Sequence, residues 1–368
     1  MHLSRRDFSK LALAAAAAPV GKLFAAKPNS IFDGVVIGTI TYSFREQGTS
    51  DAEALLKMVV DSGISQIELM PPAAENYAGS PAANQAGRGG GGRAGTPGGG
   101  RAMAGGGAPG AAPATAGQPC VADGAGGGAG GPGRGRGGAG GGRGRGQMTP
   151  EQQAAADELK KWRLSASMDK FKAFRKMYND AGVTIYCHKL APSPNMSDAE
   201  FDYMFNVAGA LGAKQISLEL SGANDFTKKL GDFAAKHGMV AAYHAHTQAT
   251  ITAWDDVIAQ SKGNAANLDC GHYVAGSGLS PIPAIEKYAA MGKIASLHLK
   301  DRTTPAHCSQ NLPWGQGDTP IAEILQLIRK NKWTFPASIE LEYQIPEGSN
   351  SVAEVKKCLE YCRKALNA

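Results

Sequence analysis

The chain has 368 residues, 43% of them hydrophobic, and a formal net charge of +6. The positive charge is unevenly placed: residues 87–146 carry a net +6 and residues 1–26 a net +3, which leaves −3 on everything else. The high isoelectric point therefore excludes nothing about the folded part, and with no later run of eighteen apolar residues, no membrane span is expected in the mature chain.

At the N-terminus, Arg5-Arg6-Asp7-Phe8 and Lys10 precede an Ala/Leu run too short and too weakly apolar to cross a bilayer. The pattern resembles a twin-arginine signal peptide over residues 1–26. It implies cleavage near Ala25 or Ala26 and delivery of the folded protein to the periplasm by the twin-arginine export machinery, a route that suits metal loading in the cytoplasm. "VVIGTITYSF" reads as a first strand, and Ser50 to Glu53 as a capping box opening a helix that stops at Gly63. "ISQIELM" is the second strand. Residues 78–148 then form a Gly/Ala/Arg-rich insert with almost no side chains to bury, so it is expected to be disordered. Its Arg-Gly repeats lack aromatic platforms for bases, so it is read as a solvated spacer, with no nucleic-acid partner. "PEQQAAADELKKW", capped by Thr149 with Gln152, closes the excursion with a short helix.

Helices and strands alternate from there: "MDKFKAFRKMYNDAG" before "VTIYCHKL", a helix boxed by Ser197 and Glu200 before "AKQISLEL", and "ANDFTKKLGDFAAKHG" before "MVAAYHAH". "AWDDVIAQSKG" leads to "NAANLDCGHY", "SPIPAIEKYAAMG" to "KIASLHLKD" and "TPIAEILQLIRKN" to "WTFPASIELEY", with one helix last. Gly182, Gly212, Gly238, Gly263 and Gly292 recur where these helices must stop, each suited to a left-handed residue. Eight strands, each followed by a helix, predict an α/β fold: a parallel, eight-stranded (β/α)8 TIM barrel over residues 34–368, interrupted after strand two. A doubly wound open sheet fits less well, because no Gly-rich phosphate turn follows the first strand. The six cysteines show neither zinc-knuckle nor disulfide-framework spacing, and most are read as small apolar side chains.

Catalytic groups of such a barrel sit at the C-terminal strand ends. Here those ends carry Glu68, His188, Lys189, Glu219, His244, His246, Asp269, His272, His298, Lys300, Glu340 and Glu342. Singly, each is an ordinary rim charge or a hydrogen-bonded histidine. Converging on one axis, the carboxylates repel, and a divalent cation removes that cost. Oxygen ligands with one or two imidazoles suit Mn²⁺, Mg²⁺, Co²⁺ or Zn²⁺. Asp269 and His272 stand three apart, so both cannot face inward from one strand; the chain is expected to leave the strand near Gly271.

The order of "ISLEL", "LDCGHY", "SLHLKDR", "WGQGD" and "SIELEY" resembles the xylose isomerase-like barrel superfamily, the sugar phosphate isomerases/epimerases. The resemblance implies one divalent metal, most simply Mn²⁺, held by Glu219, Asp269, His298 and Glu340, with Glu342 the rival of Glu340. It implies that Glu219 and Glu340 also shuttle the substrate proton. His188, His246, His272, Lys300 and Trp314 would contact a small carbohydrate substrate. The expected activity is metal-dependent isomerisation or epimerisation of a sugar or keto-sugar through an enediolate. Elimination or hydration on 3-keto-glycosides in the same site is the alternative, and a non-catalytic sugar-binding barrel is the second alternative. An apurinic-endonuclease-like phosphodiesterase is disfavoured: strand two ends without a histidine, and no Asp-x-His follows strand seven.

Overall fold

The structure, a computed structural model, describes residues 27–82 and 149–368. The segment expected to be an export signal and nearly all of the Gly/Arg-rich insert lie outside the described residues. The barrel strands are β1 Val35–Ile40, β2 Gln66–Leu69, β3 Thr184–Lys189, β4 Gln215–Glu219, β5 Val240–His244, β6 Asn264–Asp269, β7 Ile294–Leu299 and β8 Ala337–Ile339. Each pairs in parallel with the next, and β8 pairs back onto β1 with Ser338 opposite Gly38, so the sheet closes as the alternation predicts.

The helices are α1 Ala52–Asp61, α2 Ala73–Ala78, α3 Pro150–Ser165, α4 Met168–Asp180, α5 Asp198–Leu211, α6 Asp225–Lys236, α7 Asp255–Gln260, α8 Cys270–Ser277, α9 Ile282–Ala290, α10 Ile321–Asn331 and α11 Ser351–Asn367. Their apolar faces, among them Leu55, Phe174, Phe205, Leu230, Ile285 and Ile328, close a core against the outside of the sheet. Inside the barrel, Tyr186 of β3 reaches across to the Ser338 hydroxyl. Gly38 makes room for that contact, because a Cβ there would stand 2.6 Å from Ser338 Oγ.

Two local expectations are corrected. The first helix is capped by Asp51, whose carboxylate accepts from the Ala54 N–H at 2.7 Å, and not by a box starting at Ser50. Both residue types cap well, and one residue of register decides. Gly263 is not left-handed, unlike Gly182, Gly212, Gly238 and Gly292. It is glycine for space: a methyl group there would overlap the Gly231 carbonyl of α6. The Thr149–Gln152 box is present, and Glu200 reaches back to the Ser197 N–H at 2.8 Å. Cys187, Cys270, Cys358 and Cys362 are free and buried, as small apolar side chains would be, whereas Cys308 is disulfide-bonded.

Candidate active site

The C-terminal strand ends place a layer of polar side chains on the barrel axis. In register, Asp269 of β6 stands opposite His298 of β7, His298 opposite Ser338 of β8, and His244 of β5 opposite Glu219 of β4. Glu340 follows β8 directly. The strand β6 ends at Asp269 and α8 begins at Cys270, one residue earlier than expected. Asp269 itself caps that helix: Oδ1 accepts from the His272 N–H at 2.7 Å, while Oδ2 is left facing the axis. The immediate turn swings His272 back over the barrel. Gly271 is required beneath it, because a Cβ would lie 2.6 Å from the Lys300 carbonyl oxygen.

Four residues, His244, Asp269, His298 and Glu340, each bring one ligand atom into a group spanning at most 4.8 Å, and all four are buried. His298 Nδ1 lies 2.8 Å from Glu340 Oε2 and 4.0 Å from Asp269 Oδ2. His298 Nε2 lies 2.8 Å from Glu68 Oε2. His244 Nε2 is 4.0 Å from Asp269 Oδ2. Glu219 stands outside this group. Its carboxylate is 53% exposed at the mouth, 2.7 Å from Lys189 Nζ and 3.7 Å from His246 Nε2. His244 thus joins Asp269, His298 and Glu340 where the resemblance implied Glu219. The signal was present in "YHAH", but two histidines on one strand end gave no means of choosing between them.

Lys300 is the second centre of charge. Only 2% exposed, its ammonium lies 3.0 Å from Asp269, 2.9 Å from Glu340 and 2.8 Å from Glu342. The contact with Asp269 Oδ2 is an ion pair without hydrogen-bond alignment, so that oxygen retains an unused lone pair. Burial works against the charge on Lys300, but the three carboxylates hold it protonated well above the usual lysine range. Burial likewise opposes the charge on Glu340, yet Lys300 and His298 hold its carboxyl well below the usual range. Burial raises Asp269, which is the least compensated of the set. Burial also keeps His244 neutral, far below the usual histidine value. For His298 burial is outweighed by Glu68 and Glu340, which push it up to about 10.

These groups fit a divalent cation. Two imidazoles and two carboxylates converge, Asp269 Oδ2 is buried without an aligned donor, and His244 is buried and neutral. Mixed nitrogen and oxygen donors suit first-row divalent ions. The other three-imidazole group, His244, His246 and His272, fits less well. His272 meets Lys300 Nζ at 3.0 Å on one nitrogen and Arg302 Nη1 at 2.7 Å on the other, so both of its ring nitrogens are taken, and the group contains no carboxylate to offset a cation's charge.

The remaining expected contacts are placed as follows. His188 is buried at the end of β3, where burial lowers it to about 4. His246 is 51% exposed at the mouth. Trp314 packs edge-on against Tyr361 of α11, with ring centroids 5.7 Å apart. The "WGQGD" loop that carries it wraps the buried Asp301 carboxylate, which accepts from the N–H groups of Gly315, Gln316 and Gly317 at 2.7–3.1 Å. Asp301 was not singled out in the sequence. The clue was its position directly after "HLK", one step beyond the strand residue that faces the axis.

The model of the xylose isomerase-like TIM barrel family matches residues 149–365, more than half of the chain. No curated protein matches the chain significantly. Among solved structures, a sugar phosphate isomerase/epimerase from Parabacteroides distasonis superposes with a TM-score of 0.51 at 14% identity, covering 92% of this chain and 96% of that one. A D-psicose 3-epimerase from Clostridium cellulolyticum H10, solved with D-tagatose, gives 0.51 at 11% identity over 90% and 99% of the two chains. A probable 3-DHS dehydratase from Bacillus anthracis, involved in petrobactin synthesis, gives 0.50 at 13% identity over 88% and 97%. At such identities these three speak for the fold. Together with the family match and the closed parallel barrel, they establish that the chain belongs to the xylose isomerase-like TIM barrel family.

Proposed function

We propose that this protein is a metal-dependent isomerase or epimerase of a sugar or keto-sugar. The observation that carries the reading is the convergence of His244, Asp269, His298 and Glu340 at the catalytic face of the barrel. A divalent ion, Mn²⁺ by preference, would be held by Asp269, His298 and Glu340, with His244 or Glu219 completing the set. When bound it supplies Lewis acidity toward an adjacent carbonyl and hydroxyl. The protein's own groups do the rest. Glu340, kept ionised by Lys300 and His298, is the base that takes the proton from the carbon next to the carbonyl. Glu219, half exposed at the mouth and in contact with solvent, delivers a proton of its own to the other face, and solvent exchange resets both groups. His188, His246, His272 and Lys300 bind hydroxyls, and Trp314 closes the outer wall. The P. distasonis and C. cellulolyticum neighbours, whose names describe isomerase and epimerase activities, support this class.

One observation favours elimination on the same scaffold. A departing hydroxyl or glycoside needs an acid beside the base, and His246 stands 3.7 Å from Glu219. The dehydratase among the neighbours is consistent with it. The test is solvent-deuterium incorporation followed by NMR across free ketoses and 3-keto-glycosides, with Glu219→Gln and Glu340→Gln and metal analysis of the mature protein. Each variant should lose 10²–10⁴-fold in turnover. Absence of exchange with every substrate would refute the enzyme reading and leave a sugar-binding barrel; unchanged turnover in both variants would refute the proton roles. For localisation we propose periplasmic export. The disulfide at Cys308 supports an oxidising compartment, and no helix among the described residues is long and apolar enough to cross a membrane.

A further inference from the structure

Glu68 takes no part in the scheme above, yet it is fully buried. β2 carries it into the barrel beneath His298. There Oε1 accepts the Ser217 hydroxyl, and Oε2 lies 2.8 Å from His298 Nε2 and 3.4 Å from Asn267 Nδ2. His298 is its one ion-pair partner among the described residues. An ionised carboxylate can only accept, so the proton of the Glu68–His298 contact belongs to Nε2. The other ring nitrogen, Nδ1, is presented to Glu340 Oε2 at 2.8 Å and Asp269 Oδ2 at 4.0 Å; facing the ionised Glu340 it is protonated too in the metal-free protein, and it is the nitrogen that would give up its proton to a cation.

We propose that Glu68 is the positioning residue of this site: it fixes the Nε2–H on His298 and aims Nδ1 at the corner formed by Asp269 and Glu340. The consequence for metal affinity rests on the metal reading above; the ring orientation does not. A carboxylate behind an imidazole ligand sets its tautomer and raises its basicity, and losing such a partner typically weakens metal binding 10–100-fold. Two features make Glu68 suited to this task. Ser217 and Asn267 hold its carboxylate in place, and its depth denies it water as a competing partner.

The test compares the mature full-length protein with Glu68→Gln and Glu68→Leu, after circular dichroism and thermal unfolding have shown which variants fold. Long-range ¹H–¹⁵N spectra of selectively labelled histidines report the His298 tautomer, and calorimetric titration with Mn²⁺ reports affinity. Metal-free wild type should show His298 protonated at both ring nitrogens, with the Nε2–H held in a strong hydrogen bond to Glu68. Gln keeps an acceptor oxygen and should keep that proton with weakened Mn²⁺ binding. Leu should lose the fixed Nε2–H and bind Mn²⁺ roughly 10–100-fold more weakly. An unchanged His298 signature in the Leu variant overturns the positioning role; if that variant does not fold, a Gln variant with wild-type Mn²⁺ affinity does so. Wild-type protein that shows the Nε2–H signature but takes up no Mn²⁺ removes the metal reading instead, and the tautomer comparison still decides the role of Glu68.

Discussion

Replacing Lys300 with methionine is the sharpest probe of the charge arrangement. Methionine keeps most of the aliphatic stem but removes the ammonium that lies within 3.0 Å of Asp269, Glu340 and Glu342. Glu342, with 23% of its side chain exposed, regains water; Asp269 and Glu340, 0% and 9% exposed, do not. Removing one partner of a buried pair costs about 3–5 kcal/mol, because a charge is left without compensation. The variant should therefore lose about that much stability at pH 8 in the presence of EDTA, corresponding to ~10 °C in Tm. The pH dependence has a definite sign. Without Lys300, the Asp269 carboxyl, already raised by burial, titrates further above its unfolded value, so its contribution is most stabilising at low pH and the deficit grows as pH rises. Thermal unfolding at pH 5 and pH 8, with EDTA and then with excess Mn²⁺, measures both effects. Mn²⁺ should restore more stability to the variant than it adds to wild type. A loss under about 1 kcal/mol at pH 8, or one that grows toward acid, would refute the account of Lys300 as the internal counter-charge.

Three further outcomes follow from the same geometry. His188, lowered to about 4 by burial, stays neutral in the folded state while the unfolded chain takes up a proton. Its contribution to stability is complete above pH 6.5 and is lost as pH falls toward 4, amounting to about 3 kcal/mol; urea titrations should show that slope flatten in His188→Gln. Gly263→Ala should destabilise by about 3 kcal/mol or more through overlap with the Gly231 carbonyl, whereas an ordinary helix-terminating glycine would lose far less; equilibrium unfolding settles it. Asp301→Ala should orphan the N–H groups of Gly315, Gln316 and Gly317, cost about 3 kcal/mol and accelerate hydrogen exchange across that loop. Unchanged exchange there would mean that the loop holds its shape without the carboxylate.

The barrel was legible because its evidence is local and repeated. Each strand is a short apolar run, each helix has an amphipathic face, and glycines such as Gly212 must adopt a left-handed backbone that few other residues tolerate. The errors fall where two residues offer the same chemistry a position apart. Ser50 and Asp51 both cap helices, and packing chose Asp51. Gly263 looks like its neighbours in the series, but its reason is a contact with α6, more than thirty residues back in the chain, which no local pattern reveals.

The site was legible as an inventory and illegible as a partition. Every member of the buried group was recognisable as a strand-end residue. Which of them meet depends on depth along the axis, and sequence spacing within one strand carries no information about depth across eight. His244 ends β5 level with Glu219, yet His244 is buried against His298 while Glu219 turns outward to Lys189. The same limit applies to the electrostatics. Convergent carboxylates alone called for an external cation, but the folded chain supplies two of its own: His298 between Glu68 and Glu340, and Lys300 among Asp269, Glu340 and Glu342. A divalent ion in this barrel is therefore not needed to make the fold tolerable. Its place would be set by the unused lone pair of Asp269 and the neutral ring of His244, beside carboxylates already held ionised. Such a site can lose its metal without losing its structure, and the Lys300 and Glu68 variants separate these two roles.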